Sequence, residues 1–179
     1  VGEGRMAEPE DIISFIEKDI LSQLPLVGKE ITITAGPTYE AIDPVRFIGN
    51  HSSGKMGFEL AKRALDLGAT VNLITGPTHL HLKHSNLTRI DVVSAQEMYV
   101  ATLSKFESSS IVIASAAVSD YRPRHQLEQK MKKSKEALHI ELEPTTDTLR
   151  HFASIQKNQN LVGFALDTND EDQNAKHQL

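Results

Sequence analysis

The feature that most constrains the fold of this chain is a repeated exchange between short β-branched segments and longer helical ones. Residues 29–35, 70–75 and 110–115 are rich in Ile, Val and Thr, which is typical of strands, and the first two stop at Gly-Pro pairs. Residues 53–67 and 94–106 repeat apolar side chains at three- and four-residue steps, which indicates helices. This alternation predicts a three-layer α/β/α domain with a mostly parallel, doubly wound, Rossmann-like sheet.

Several other elements are predicted from local signals. Gly68 is expected to end the helix over 53–67, and Ser94 with Glu97 fits the capping box that begins the next helix. Pro9 is placed to begin a helix. The remaining predicted elements are helices over 9–24 and 144–156, a helix beginning at 167, and strands over 89–93, 138–143 and 161–165.

Composition excludes several classes of protein. The 179 residues are 39% hydrophobic and suit one domain. The longest apolar run, 111–118, is far shorter than the ~18 residues of a membrane span, and no leader marks the chain for secretion, so we expect a cytoplasmic protein without a membrane partner. Cysteine and tryptophan are absent, which removes thiol chemistry and leaves few stacking platforms for nucleic acid.

Positive charge is concentrated in residues 122–135, which we call the basic flap. This segment holds six Lys or Arg and one Glu, whereas the whole chain has a net charge of -5. A cationic segment on an acidic body favours a small polyanionic ligand over a nucleic-acid surface. The alternative is a solvated surface loop.

Residues 36–53 form a connection much longer than the ~2–6 residues usual between a strand and a helix, which indicates an extended active-site loop. Its end, from Gly49 to Lys55, matches the first seven positions of a phosphate-binding P-loop. Met56 stands where Ser or Thr would hold Mg²⁺, so a standard triphosphatase is not expected. The helix N-terminus is still expected to attract phosphate, and Ser53 is expected to cap it.

Other motifs are weaker. No G-x-G-x-x-G follows residue 35, so a nicotinamide-dependent oxidoreductase lacks its fingerprint. His79, His81 and His84 have no carboxylate or thiolate nearby, which favours a surface loop over a metal site. The acidic residues over 167–172 suit either Mg²⁺ or the first turn of a helix.

The irregular motif over 33–57, ITAGPTYEAIDPVRFIGNHSSGKMG, resembles the signature of bacterial phosphopantothenate–cysteine ligases, also called phosphopantothenoylcysteine synthetases. The resemblance extends to residues 114–123, 129–135 and 162–169 and covers about 29–175. Residues 2–12 resemble the end of the flavin-dependent decarboxylase that precedes this ligase in many bacteria. We therefore expect a decarboxylase tail and linker over 1–28, and over 29–179 a ligase domain that lacks its C-terminal part.

The resemblance implies a reaction and its ligands. The carboxylate of 4′-phosphopantothenate attacks the α-phosphate of CTP, pyrophosphate leaves, and L-cysteine then forms an amide from the acyl-cytidylate. Mg²⁺ accompanies the triphosphate, whereas FMN belongs only to the fused decarboxylase. A homodimer is implied. The alternatives are a non-catalytic module that dimerises and tethers the decarboxylase through 1–28, and an ATP-using relative.

The resemblance also implies roles for individual residues. Lys130 is expected to be the lysine needed to form the acyl-cytidylate, with Lys132 and Lys133 as auxiliaries. Lys132 is the alternative candidate for the role of Lys130. The phosphopantothenoyl group is expected to contact Arg46, Asn50, Ala116 and Ala117, with Asn50 also catalytic. The nucleotide is expected to contact Gly36 and Lys130. Its phosphates are expected to contact Ser52, Ser53 and Gly54, its ribose or metal Asp120, and its cytosine Phe164. The metal ligands are left open.

Overall fold

A computed structural model describes residue 4 and residues 6–133 and 137–164. Its centre is a five-stranded sheet of β1 (Glu30–Ala35), β4 (Thr70–Thr75), β5 (Leu87–Asp91), β6 (Ile111–Ala114) and β9 (Asn160–Gly163). The spatial order is β5-β4-β1-β6-β9, and each neighbouring pair is parallel. The predicted parallel, doubly wound sheet is confirmed.

Three helices cover the two faces of this sheet: α2 (Lys55–Asp66), α3 (Ala95–Phe106) and α4 (Thr148–Ile155). Successive side chains of a strand point to opposite faces. Ile31, Ile33 and Leu73 pack in one core cluster with α2, whereas Ile74 packs with α3. Val112 packs with Phe106 of α3 and with Phe152 of α4. The three predicted layers are therefore present, with α2 on one face and α3 and α4 on the other.

The helix ends follow the predicted signals in part. Ser94 and Glu97 form the predicted capping box, and Gly68, with φ +92°, follows the last turn of α2 as predicted. The predicted cap Ser53 is wrong. The N-cap of α2 is Gly54, without a side-chain hydrogen bond, because the chain turns into the helix one residue later in a left-handed conformation.

The predicted loop over 36–53 contains a hairpin that the sequence pattern did not indicate. Its strands are β2 (Tyr39–Ala41) and β3 (Phe47–Gly49), which pair antiparallel. A second antiparallel pair joins β7 (Tyr121–Pro123) to β8 (Leu142–Pro144). Only the end of the strand predicted over 138–143 is therefore a strand, and it lies outside the central sheet. The helix predicted from 144 begins later, at Thr148, because Pro144 pairs with Tyr121 in this second hairpin.

The N-terminal helix α1 (Pro9–Ser22) begins at the predicted proline, but none of its residues is buried. Its apolar side chains, such as Phe15 and Ile20, are exposed. Within the described residues, no helix combines the length and apolar character needed to cross a membrane. The helix predicted from 167, and the end of the strand predicted over 161–165, lie outside those residues.

Candidate functional site

The strand order places a cleft between the carboxyl ends of β1 and β6. Along the chain, the connections leave these two central strands in opposite directions, and doubly wound sheets bind ligands at such a switch point. The loops that follow the two strands are joined by main-chain hydrogen bonds. Ala117 N–H donates to the Gly36 carbonyl at 2.9 Å, and Thr38 N–H donates to the Ala117 carbonyl at 3.2 Å. The predicted residues Gly36, Ala116 and Ala117 therefore lie together.

The β2–β3 hairpin is anchored to the start of α3. The carboxylate of Glu40, which is buried, accepts a hydrogen bond from Ala95 N–H at 2.8 Å. Tyr39 N–H donates to the Val93 carbonyl at 2.8 Å, and its ring stacks on Phe47. A carboxylate at a helix N-terminus is stabilised by the helix dipole. The hairpin is thus held beside the cleft.

Asn50 follows directly after β3 and reaches the other loop of the cleft. Its side-chain N–H₂ group donates to the Val118 carbonyl at 2.9 Å. This bond joins the end of the hairpin to the segment that carries Ala116 and Ala117. The structure therefore places Asn50 against the segment that contains the two alanines.

Residues 52–54 lie against the same floor. Gly54 has φ +78°, and a Cβ atom placed on it would be 3.2 Å from the Cα and the N of Gly36. The Ser52 hydroxyl accepts from Gly54 N–H at 3.2 Å, and the Thr78 hydroxyl donates to the Ser53 carbonyl at 2.9 Å. No acidic side chain lies in the first turn of α2, so its free N–H groups can attract an anion.

A cavity of about 460 Å³ opens at this carboxyl edge, next to α4. Three predicted residues line it: Ala116, Asp120 and Phe164. Asp120 and Phe164 are exposed, so both side chains are accessible to a ligand. A recess of about 550 Å³ lies at the opposite edge, against Lys29, Ser110 and Asn160, where the strands begin. We favour the cavity at the carboxyl edge, because ligands of doubly wound sheets bind there.

Asp43 and Arg46 form an ion pair in the turn of the β2–β3 hairpin. The Arg46 guanidinium donates to the Asp43 carboxylate at 3.0 Å and to the Met131 carbonyl of the basic flap at 3.0 Å. Burial acts to raise the pKa of the Asp43 carboxyl. Hydrogen bonds from the N–H groups of Met131, Val45 and Arg46, together with the Arg46 charge, outweigh burial and hold that pKa below its ordinary value.

The basic flap is less cationic than its sequence indicated. Arg122 pairs with Glu143 at 2.8 Å, and Arg124 pairs with Glu141, across the β7–β8 pair. The two glutamates thus neutralise the arginines at the start of the flap. Three flap lysines are exposed and form no ion pair with another described residue, namely Lys130, Lys132 and Lys133. Lys135 lies outside the described residues.

Sequence reasoning missed the anchoring carboxylates Glu40 and Asp43. Both belong to the long loop predicted to be functional, but no spacing rule marks either as buried. The three histidines of residues 79–84 are exposed, whereas Leu80 and Leu82 between them pack on the core. These residues therefore form the predicted surface loop, with its histidines toward solvent. Among the described residues, no group of three or more His, Asp or Glu is arranged to hold a metal ion.

The fold and the cleft together define a class: a Rossmann-like α/β domain with a candidate ligand site at the switch point of its sheet. Comparison with known proteins then gives the family. The family described as the DNA/pantothenate metabolism flavoprotein C-terminal domain matches residues 26–179, and the chain belongs to this family.

Individual relatives agree with this assignment. The coenzyme A biosynthesis bifunctional proteins CoaBC of Bacillus subtilis (strain 168) and of Vibrio cholerae are 46% and 47% identical to the chain over 181 and 182 residues. The chain is covered completely, but it spans only 45% of the length of each relative. The crystal structure of the C-terminal domain of a CoaBC protein superposes with a TM-score of 0.76 at 42% identity, covering 88% of this chain and 74% of that one. The resemblance stated from the sequence is confirmed.

Proposed function

We propose that this chain catalyses the CTP-dependent ligation of 4′-phosphopantothenate with L-cysteine, through an acyl-cytidylate, in coenzyme A biosynthesis. The observation that carries the proposal is the cleft itself. Its floor carries the N-terminus of α2, and its rim carries Asn50 and the flap segment of Lys130. The names of the CoaBC relatives support the coenzyme A pathway.

The chemistry needs concentrated positive charge and donors. The substrate carboxylate attacks the α-phosphate of CTP, the bond to the β-phosphate oxygen breaks, and pyrophosphate leaves with its electron pair. The amine of cysteine then attacks the acyl carbon and expels CMP, and the proton of the amine is lost to solvent. Because charge builds up on phosphoryl oxygens in the first step, preorganised cations and N–H donors stabilise its transition state.

Each predicted residue has a place in this proposal. Lys130 stabilises the phosphoryl oxygens, with Lys132 and Lys133 beside it. Arg46, Asn50, Ala116 and Ala117 hold the phosphopantothenoyl group. The nucleotide is held by Gly36, Ser52, Ser53, Gly54, Asp120 and Phe164.

Among the described residues, one carboxylate beside the cavity fits Mg²⁺, and the acidic residues over 167–172 lie outside the described residues. Magnesium in nucleotide enzymes is held by one or two carboxylates, with substrate phosphates and water completing the octahedron. Asp120, which lines the cavity and is exposed, is a suitable single carboxylate. Bound there, Mg²⁺ would neutralise triphosphate charge.

The wider organisation is also proposed. The chain acts as a homodimer and is joined or associated with a flavin-dependent decarboxylase, to which FMN belongs. The boundary at residue 28 and the cytoplasmic location stay predictions. The preference for CTP over ATP follows from the resemblance to the fused bacterial ligases.

The test measures pyrophosphate release from CTP with phosphopantothenate present and cysteine absent. The parent protein should release pyrophosphate only when both substrates are supplied. Lys130→Gln should abolish release, whereas Lys83→Gln, exposed and next to His84 just before β5, should match the parent. Release by Lys130→Gln at the parent rate would remove Lys130 from its role and leave Lys132 to be tested. Release from ATP but not CTP would favour the ATP-using alternative, and no release from either would favour the non-catalytic tethering module.

A further inference from the structure

The main-chain N–H and carbonyl groups of one flap residue, Met131, are both held by the Asp43–Arg46 ion pair. Met131 N–H donates to the Asp43 carboxylate at 3.1 Å, and the Arg46 guanidinium donates to the Met131 carbonyl at 3.0 Å. A neighbouring strand satisfies both polar groups of a residue in the same way. Here two side chains of the hairpin turn replace that strand.

The carboxylate that holds Met131 is itself immobilised. Asp43 is only 2% exposed. Its Oδ1 atom accepts from Val45 N–H at 2.7 Å and from Arg46 N–H at 2.9 Å. Its Oδ2 atom accepts from the Arg46 guanidinium and from Met131 N–H. An ionised carboxylate has about four acceptor positions, and all of them are used.

A second bond holds the flap four residues earlier. Leu127 N–H donates to the Ile42 carbonyl at 2.9 Å, next to Asp43 in the same turn. Lys130 therefore lies in a short stretch whose two ends are both bound to the turn of the β2–β3 hairpin. The backbone of Lys130 is thus placed by this turn, while its side chain stays exposed.

We propose that Asp43 is a positioning residue, which holds the Met131 peptide so that Lys130 is kept beside the hairpin that ends at Asn50. The catalytic consequence rests on the proposed ligase function. A guanidinium has five N–H donors, and the bonds to Asp43 and Met131 use two of those of Arg46. The other donors are available to a ligand phosphate, so one side chain can link ligand binding to the position of the flap.

The test uses the absence of cysteine from the 179 residues. A nitroxide spin label on Gln129→Cys, an exposed position between the two anchors, reports flap motion by electron paramagnetic resonance. Asp43→Asn replaces one acceptor oxygen by a donor, so it should add a mobile component to the spectrum. Met131→Pro removes the N–H group that donates to Asp43 and leaves the sequence of the hairpin turn unchanged. It should also add a mobile component to the spectrum. Asp91→Asn, at the exposed Arg89–Asp91 pair of β5, is the matched control and should not.

Activity gives a second measurement. In unlabelled protein, Asp43→Asn should lower kcat for pyrophosphate release by about 100-fold with KM for CTP nearly unchanged, because a displacement of about 1 Å can cost that factor. Spectra of Asp43→Asn and Met131→Pro that superpose on the parent would overturn the proposal, as would unchanged kcat in an active protein. If the two variants show the spectral change but the parent releases no pyrophosphate, the proposed ligase function is refuted, while Asp43 keeps its role in holding the flap.

Discussion

Replacing Gly54 by alanine tests the floor of the cleft. Gly54 has φ +78°, where an L side chain costs ~1–2 kcal/mol. The added Cβ would also lie 3.2 Å from the Cα and the N of Gly36. Both atoms are backbone, so the loop after β1 must shift, and such overpacking costs ~1–3 kcal/mol. The expected loss of unfolding free energy is therefore ~2–5 kcal/mol.

Gly28 offers a matched control. Its φ is +74°, but nothing lies within 4 Å of an added Cβ. Gly28→Ala should therefore cost only the backbone part, ~1–2 kcal/mol. Urea unfolding of both variants of the 179-residue chain, with the slope m unchanged, measures the difference. That difference isolates the contact between Gly54 and Gly36.

The same pair of variants separates stability from binding. A shift of Gly36 away from α2 disturbs the proposed phosphate cradle, and losing ~1–2 kcal/mol of helix-terminus interaction weakens CTP binding about tenfold. Calorimetric titration with CTP should show this loss for Gly54→Ala and parent affinity for Gly28→Ala. Equal destabilisation by the two substitutions would refute the steric argument. Parent affinity in Gly54→Ala would refute the cradle.

Three further predictions concern the rim, the flap and the core. Asn50→Asp removes the donor to the Val118 carbonyl and adds a negative charge. Single-turnover assays should therefore show slower consumption of the acyl-cytidylate, with the affinity for CTP nearly unchanged. Unchanged turnover would contradict this prediction. Because the Asp43 pKa is lowered on folding, its contribution to stability is complete above the ordinary value of 3.8 and is lost as the pH falls through the lower folded value. The urea midpoint should therefore decline in acid, and less steeply in Asp43→Asn. Phe152→Ala, at a side chain 1% exposed, should cost ~3–5 kcal/mol in urea, whereas Phe15→Ala on the exposed face of α1 should stay within about 0.5 kcal/mol of the parent.

The central sheet was predictable because each of its strands carries its own signal. Glu30–Ala35 and Thr70–Thr75 are β-branched runs whose apolar residues are buried, so local pattern and tertiary burial agree. The three-residue strands Tyr39–Ala41 and Tyr121–Pro123 carry too few residues for a period to be detected. Their structure depends on pairing with Phe47–Gly49 and Leu142–Pro144. Pairing across a loop is not encoded in either strand alone.

The cleft residues were predicted from a motif, whereas the groups that support them were not. Glu40 and Asp43 each depend in part on a main-chain donor far along the chain, 55 and 88 residues away at Ala95 and Met131. A buried carboxylate needs such donors, and the sequence does not show which distant N–H group will come near. The charge of the flap was misleading for the same reason, since its arginines are neutralised from outside the segment by Glu143 of β8 and by Glu141 just before that strand.

The close packing of glycines beneath the cleft restricts how this protein can diversify. A Cβ on Gly57 would lie 2.5 Å from the Cβ of Ala35, and one on Gly76 would overlap the carbonyl oxygen of Pro37. Substitution at these positions disrupts the scaffold before it can alter ligand preference. New specificity must therefore arise at exposed positions of the rim, such as Lys130 and Lys132 of the flap and Phe164 at the cavity, where a side chain can change with less effect on folding. A library that aims to change the nucleotide or the acid should vary these rim positions and leave the floor intact.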